Sequence, residues 1–266
     1  MKCYSSDSIP VLSKLAMEYT LFDNWRSSVP GPTWPNRFFV HATTSHGYCD
    51  DDFRIYSMEP IYKRLTDKGI SWKIYHNDLI AQSWAIEYVA SHLGNSKRLD
   101  NLFADLENNS LPQYSFIEPN YHTFAISGEQ NDMHPDSDVG AGDNLVNSIF
   151  QALTKSPYWS TSALIITFDE HGGIYDHVSP QVPLPQPDDY EEIKYKYKFD
   201  ISGLRVPTIV VSPFVKSGFV DHNLYDHTSI LKTIEERFAL DALTKRDANA
   251  RSFSDVFSEV PTSIVL

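Results

Sequence analysis

A short apolar run that leads directly into two acids constrains the fold more than any other stretch of this sequence. Residues 163–168, ALIITF, are apolar except for Thr167, and the sequence DEHGG (169–173) follows at once. A β-branched run of this kind is typical of a strand buried on both faces of a parallel sheet. In α/β sheets, ligands bind at the carboxyl ends of such strands. Gly172 and Gly173 allow a sharp turn there, so Asp169 and Glu170 could face one ligand. An ordinary solvated strand end is the alternative.

The rest of the chain alternates predicted strands with predicted helices. Strands are predicted over 37–42, 70–75, 114–119, 163–168 and 204–212, and helices over 8–25, 58–68, 80–93, 97–107, 139–155 and 227–238. Residues 29–37 and 120–137 are predicted to lack regular structure, and the proline-rich segment 180–189 is predicted to be a surface excursion. The alternation predicts an α/β protein with a mostly parallel central sheet and helices on both faces. We expect the 266 residues to form a single domain.

Composition limits the partners and says little about the compartment. The formal net charge of −13 argues against nucleic-acid binding, which depends on neutralising phosphates with cations. A phosphorylated substrate is still compatible with this charge, because a metal ion can supply positive charge locally. Cys3 and Cys49 do not indicate a compartment. No apolar stretch is long enough to span a membrane, and residues 1–10 lack the apolar core of a signal peptide. Localisation stays open, secreted or membrane-peripheral if a longer form carries a signal.

Three polar clusters each follow a predicted strand or lie in an adjoining loop. They are TTSHG (43–47), NDMHP (131–135) and DEHGG (169–173), and we expect them to meet at the carboxyl edge of one sheet. Their oxygen atoms suit a divalent cation such as Mg, Ca or Mn, and Zn if a histidine joins. Such a cation could activate a threonine hydroxyl and stabilise a transferring phosphoryl group, while His134 could hold a phosphate oxygen or protonate the leaving group. Taken singly, TTSHG could be a polar turn, and His134 a hydrogen-bonded loop residue.

Several stretches together resemble one known family. They are SVPGPTWPNRFFVHATTSHG (28–47), GISWKIY (69–75), LPQYSFIEPNY (111–121), NDMHPDSDVGAGDNLV (131–146), LIITFDEHGGIYDHV (164–178), RVPTIVVSPFVKSGFVDH (205–222) and YDHTSILKTIEERF (225–238). The chain resembles the phosphoesterase family that includes nonspecific phospholipase C of plants, bacterial phospholipase C and a group of acid phosphatases. That family is similar in fold to alkaline phosphatase. The resemblance implies hydrolysis of phosphoester bonds in phospholipids, or in simpler phosphomonoesters, and a peripheral membrane contact.

The resemblance also implies roles for individual residues. The position that matches the nucleophile is Thr44, with Thr43 as the less favoured neighbour, and a phosphothreonine intermediate is expected. Asp169 and Glu170 match the metal-binding acids, with Thr44 beside them on the metal. His134 matches a histidine that contacts the phosphate.

Other histidines stand in family-like motifs without a role that the sequence assigns. For His171, His177 and His227 we expect hydrogen-bonded imidazoles of structural character, and His46 is likewise left without a role.

One departure from the family pattern sets a rival hypothesis. Family members carry an ENRSFD-like motif upstream of the PGPT segment, and its Glu and Asn help to bind the metal, whereas nothing similar occurs here. We therefore expect a fragment, a truncated gene model or a degenerate paralogue. On this view the chain expressed alone is poorly soluble and nearly inactive. The rival to an active hydrolase is a catalytically dead relative that acts as a binding protein.

Overall fold

Short strands and helices alternate along residues 4–121, 128–135 and 137–262, which are the residues that the computed structural model describes. The helices are α1 Pro10–Glu18, α2 Thr33–Ala42, α3 Ile61–Asp67, α4 Glu87–Ala90, α5 Asp100–Glu107, α6 Val139–Lys155, α7 Thr228–Phe238 and α8 Lys245–Ala248. The strands are β1 Thr20–Phe22, β2 Trp25–Arg26, β3 Trp72–His76, β4 Ser96–Arg98, β5 Tyr114–Glu118, β6 Leu164–Thr167, β7 Thr208–Val211, β8 Phe219–Asp221 and β9 Tyr225–Asp226. These elements confirm the predicted α/β class.

The strands form a four-stranded sheet, a three-stranded sheet and a two-stranded ribbon. The four-stranded sheet has the order β6-β7-β1-β8, in which β7 is antiparallel to both neighbours and β1 is parallel to β8. The three-stranded sheet β4-β3-β5 and the ribbon β2-β9 are parallel. Four of the six strand pairings among the described residues are parallel, but in the sheet that contains β6 two of the three are antiparallel, unlike the mostly parallel central sheet that was expected. The expectation of one shared carboxyl edge is wrong, because β5 and β6 lie in different sheets.

The segment predicted as a strand over 37–42 is helical. It forms the second half of α2, and Phe38, Phe39, Val40 and Ala42 are all at most 6% exposed. A short apolar run does not distinguish a buried strand from a helix that is buried all round. The prolines at 30, 32 and 35 favour the helix over the strand in this segment, because proline is common at helix starts and α2 begins at Thr33.

Most other predicted elements are present with shifted ends. The predicted helix 8–25 stops at Glu18 because Tyr19 is extended, and β1 and β2 follow. The predicted helix 80–93 is broken into a 3-10 turn and α4, whereas α6 and α7 match their predictions. Strand β6 is half-buried, since it lies at the edge of its sheet. Within the predicted loop 120–137, residues 122–127 and 136 lie outside the described residues, and the others are in neither helix nor strand.

An aromatic cluster joins the N-terminal strands to the C-terminal part of the chain. The rings of Trp25 and Tyr225 stack with centroids 5.5 Å apart, and Phe22 meets Tyr225 edge-on at 5.0 Å. Phe253 packs against the same rings. Each of these side chains is at most 2% exposed. Aromatic pairs of this geometry add to the stabilisation from burial, so β2 and β9 are fixed firmly at the start of α7.

A buried acid on α7 introduces a pH dependence of stability. Glu235 is 3% exposed, and it faces the region of α8 that contains Asp247. Burial and, to a smaller extent, the neighbouring Asp247 carboxylate together raise the pKa of Glu235 from 4.5 to about 9. The folded protein therefore keeps a proton between these two pH values that the unfolded chain has released. Stability consequently falls as the pH rises through this window.

Glu235→Gln should remove this pH dependence. We expect the wild-type unfolding free energy to fall by on the order of 4 kcal/mol more than that of the variant between pH 5 and pH 8. Urea denaturation at several pH values measures the difference. Glu236→Gln is the matched control, because that neighbouring side chain is 44% exposed. Parallel pH curves for wild type and Glu235→Gln would contradict the assignment.

Candidate functional site

The first residue of α2 is a threonine, Thr33. Thr33 follows Pro32, is half-buried, and makes no side-chain hydrogen bond within the described parts of the chain. The next backbone N–H, that of Trp34, donates to Asp51 Oδ1 at 2.8 Å. Burial raises the pKa of Asp51, and the Asp169 carboxylate raises it further, while the Trp34 N–H and Arg37 act in the opposite direction. A hydroxyl and a carboxylate thus accompany the start of α2.

One turn further along α2, an ion pair links the helix to the DEHGG turn. Arg37 Nε lies 3.0 Å from Asp169 Oδ2, and the two side chains are only 13% and 23% exposed. The Arg37 guanidinium also lies over the Tyr121 ring, 4.3 Å from its centroid. Residues four apart share a helix face, so Thr33 and Arg37 are neighbours on the surface of α2. The first acid of the DEHGG turn is therefore placed against the N-terminal half of α2.

The DEHGG turn is fixed from beneath by a buried histidine. His227 Nε2 donates to the backbone carbonyl of Asp169 at 2.7 Å, and His227 Nδ1 lies 3.4 Å from Trp25 Nε1. These contacts fit the neutral imidazole protonated at Nε2. Burial lowers the pKa of His227, which favours that neutral form. His227 is thus a structural, hydrogen-bonded imidazole, as expected, but one that positions Asp169.

The turn itself takes the sharp form that its two glycines predict. The φ angles of Gly172 and Gly173 are +62° and +69°. Glu170 accepts a hydrogen bond from the Gly172 N–H at 2.7 Å, and its own N–H donates to Asp169 Oδ1 at 3.0 Å. His171 Nδ1 lies 3.4 Å from the Glu170 carboxylate, and His177 Nδ1 lies 3.7 Å from Asp176. The two predicted acids therefore stand together at the turn.

The NDMHP loop reaches the same turn through its proline. A Cβ atom at Gly172 would lie 2.8 Å from Pro135 Cγ, which shows how closely the two loops pack. His134 is exposed beside this contact, and its backbone N–H donates to Asp132. The structure thus brings the loop of His134 to the turn that carries Asp169 and Glu170.

Thr44 lies at the other end of α2 with different partners. Its hydroxyl donates to the Asp188 carboxylate and accepts from the His46 N–H, and the residue is 4% exposed. Thr43, the helix C-cap, lies against Thr244, with the hydroxyl oxygens 2.9 Å apart. The hydrogen-bond partners of Thr44 thus differ from those of Asp169 and Glu170, and the prediction that these residues share one pocket stays a prediction.

Sequence reasoning missed four residues of these two clusters. Thr33, Arg37 and Asp51 belong to the cluster around Asp169, and Asp188 belongs to the cluster around Thr44. A signal for Thr33 was present, because the prolines at 32 and 35 favour a helix start there and a helix N-terminus favours an anion. No pattern in the proline-rich excursion distinguished Asp188 from its neighbours.

Comparison with known proteins assigns the family. The phosphoesterase family profile matches residues 1–241. The chain belongs to this family. Non-specific phospholipase C6 of Arabidopsis thaliana is 38% identical over 281 residues, which cover 98% of this chain and 54% of that protein. Phospholipase C B of Mycobacterium tuberculosis is 28% identical over 305 residues, covering 97% of this chain and 56% of that protein. The chain thus spans about half the length of these relatives.

Solved structures confirm the predicted alkaline-phosphatase-like fold. Murine ectonucleotide pyrophosphatase/phosphodiesterase 5 superposes with a TM-score of 0.61 at 12% identity, covering 95% of this chain and 96% of that one. A Vibrio parahaemolyticus protein of the alkaline phosphatase superfamily gives a TM-score of 0.55 at 12% identity, with 90% and 63% covered. None of the described helices is both long and apolar enough to cross a membrane.

Phosphoesterases of this fold generally use divalent metal ions. The described residues contain no group of three or more His, Cys, Asp or Glu side chains arranged to hold a metal ion. Asp169 pairs with Arg37, and Glu170 accepts from the Gly172 N–H. The predicted ligand roles of Thr44, Asp169 and Glu170 therefore stay predictions.

Comparing Gly172→Ala with Gly173→Ala should distinguish the cost of backbone strain in the turn from the cost of disturbing the packing of the two loops. Both residues have positive φ angles, so each substitution costs about 1 kcal/mol or more in unfolding free energy. Gly172→Ala also collides with Pro135, whereas a Cβ atom at Gly173 meets nothing within 4 Å. We expect Gly172→Ala to be more destabilising by a further 1–3 kcal/mol or so, measured by urea denaturation. Equal losses in the two variants would contradict the packing of Pro135 on the turn.

Proposed function

We propose that this chain hydrolyses phosphoester bonds, with phospholipase C type cleavage of phospholipids as the leading reaction. The relatives that match most of its length are named phospholipases C. The observation that carries the proposal is the Arg37–Asp169 ion pair, since it brings the threonine-bearing start of α2 to the acidic turn. Phosphomonoesters are the second candidate substrates, in line with the acid phosphatases that the sequence resembles.

Arg37 is suited to hold a phosphoryl group. Its Nε–H is engaged by Asp169, and its terminal NH2 groups make no hydrogen bond within the described residues. A guanidinium presents five N–H donors, so these groups can hold phosphoryl oxygens while the ion pair persists. Positive charge at this place stabilises the charge that develops on the transferring group. The N-terminal end of α2 adds to this preference for an anion.

Thr33 is the nucleophile that this geometry supports. Its oxygen would attack phosphorus, the bond from phosphorus to the diacylglycerol oxygen would break, and water would then release the phosphorylated head group. Asp51 stands beside the helix start as the acceptor for the hydroxyl proton. His134, exposed beside the turn, would protonate the leaving group or hold a phosphate oxygen.

Thr44 is the rival nucleophile. Its hydroxyl already donates to the Asp188 carboxylate, which is the contact expected of a hydroxyl with its base. Against this assignment, no arginine or lysine side chain contacts Thr44 among the described residues. A phosphoryl group at that position would face Asp188 without charge compensation.

Alanine substitution of the two threonines decides between them. We expect Thr33→Ala to lower kcat by about 10³-fold or more, and Thr44→Ala to lower it by less than about 10-fold. Hydrolysis of phosphatidylcholine and of p-nitrophenyl phosphate measures this, with Thr33→Ser as the variant that keeps a hydroxyl. The opposite order of losses would restore Thr44 as nucleophile.

Mass spectrometry after brief exposure to substrate provides the second test. A phosphorylcholine group trapped on Thr33 from phosphatidylcholine, or a phosphate group from p-nitrophenyl phosphate, supports the proposed reaction. No turnover by the wild-type chain and no trapped phosphate on either threonine would favour the catalytically dead relative.

A further inference from the structure

Residues 181–202 form one closed excursion on the surface. At its neck the Gln181 N–H donates to Ser202 Oγ at 2.8 Å, and the Ser202 N–H donates to the Gln181 carbonyl at 3.1 Å. A third hydrogen bond joins the Leu184 N–H to the Asp200 carbonyl at 2.8 Å. The two ends of the excursion are thus tied together, so its middle stands out as a loop.

The base of this excursion is held on α2 and α8. Phe199 is 1% exposed and stacks on Phe39 of α2 with ring centroids 6.0 Å apart. The buried Arg246 of α8 donates to the Phe199 carbonyl at 2.8 Å. Tyr190 stacks on His46, next to the Thr44–Asp188 hydrogen bond, with ring centroids 4.5 Å apart. These contacts give the excursion a rigid attachment beside α2.

The tip of the excursion, residues 192–197, is stabilised by its own backbone. The Glu192 N–H donates to the Tyr197 carbonyl at 2.9 Å, and the Lys196 N–H donates to the Glu192 carbonyl at 3.0 Å. The Glu192 carboxylate accepts the N–H groups of Lys194 and Tyr195. This arrangement directs two large apolar side chains to solvent: Ile193 is 82% exposed and Tyr195 is 74% exposed.

The tip 192–197 carries a net charge of +1, with two lysines against Glu192, and residues 188–191 just before it add three acids. Lys194 Nζ lies 4.6 Å from the centroid of the Tyr195 ring. Within the described residues Lys194 and Lys196 make no ion pair, whereas Lys198 lies 3.4 Å from Glu191. The one acid of the tip, Glu192, is engaged by backbone N–H groups. The tip therefore carries two lysines beside exposed apolar side chains, on a chain of net charge −13.

We propose that the tip 192–197 docks this protein on a phospholipid surface that contains anionic head groups. Tyrosine is favoured at the level of the lipid head groups, and contact with acyl chains removes the apolar surface of an exposed isoleucine from water. Lysine side chains are long enough to reach the lipid phosphates. The net charge of +1 at the tip, with both lysine side chains outside any ion pair of the described residues, complements such a surface, and the rigid base places the tip beside α2. The identity of the lipid as substrate rests on the proposed function, whereas docking itself is measured without catalysis.

Vesicle binding tests the docking surface directly. The wild-type chain is mixed with sucrose-loaded vesicles of phosphatidylcholine and phosphatidylserine, and with vesicles of phosphatidylcholine alone, and the bound fraction is measured by sedimentation. We expect Ile193→Glu/Tyr195→Glu to lower the partition coefficient on the mixed vesicles by at least about 10-fold. Lys194→Gln/Lys196→Gln should lower it by several fold and reduce its dependence on salt.

Met17→Glu is the matched control, because Met17 is a 68% exposed apolar residue on α1, away from the excursion. It should bind vesicles as the wild type does. Circular dichroism and thermal unfolding check that the tip variants are folded. Unchanged vesicle binding by the folded Ile193→Glu/Tyr195→Glu variant, or an equal loss with Met17→Glu, would overturn the proposal. A wild-type dimer that the tip variant converts to a monomer, without vesicle binding, would also overturn it.

Turnover of two substrates distinguishes a failure of the docking proposal from a failure of the proposed function. Tip variants should lose turnover of vesicle phosphatidylcholine and retain turnover of p-nitrophenyl phosphate. Equal loss on both substrates would overturn docking as the role of the tip. If neither substrate is turned over by the wild type, the proposed hydrolysis fails, and sedimentation alone still decides the docking.

Discussion

The hydrogen bond from buried His227 to the backbone carbonyl of Asp169 is the contact on which the candidate site depends. It holds the acidic turn on the first residues of α7, and the Trp25 indole sets the orientation of the imidazole from the other side. Because the imidazole is neutral and buried, it contributes a directed N–H without adding a charge beneath the carboxylates. The Asp169 carboxylate is then free to pair with Arg37 on α2. One backbone carbonyl and one carboxylate of the same residue thus join two helices at the end of β6.

Helix α2 gives the molecule two distinct surroundings at its two ends. At its N-terminal end Thr33, Arg37 and the acidic turn offer a hydroxyl, a cation and the helix dipole to an anion. At its C-terminal end Thr44 and Asp188 bind the proline-rich excursion to the body of the protein. This division explains why one helix can serve both the proposed chemistry and the proposed docking surface. The buried Phe38 and Phe39 side chains anchor α2 in the core, and a packed interior is rigid. The distance between the two ends of the helix is therefore fixed.

The sequence predicted the parts of the fold that local pattern determines. The periodicity of α6 and α7, the glycine turn after β6 and the α/β alternation are each encoded within a few residues, so they were found without tertiary information. The strand assignment at 37–42 failed because a fully buried helix and a buried strand leave the same apolar pattern. The prediction of a single shared carboxyl edge was wrong for a related reason. Strand order and direction depend on pairing between distant segments, such as β6 with β7.

For the site, the sequence by itself determined which residue types are present and where the acidic turn lies, because Asp169, Glu170 and the two glycines are contiguous in the chain. Only the tertiary structure decided their partners. Asp169 lies 132 residues from Arg37, and Thr44 lies 144 residues from Asp188. Contacts of this separation are set by how helices and loops pack, and no local propensity encodes them. The physical reason is that side-chain chemistry belongs to the residue, whereas its electrostatic surroundings belong to the assembled fold.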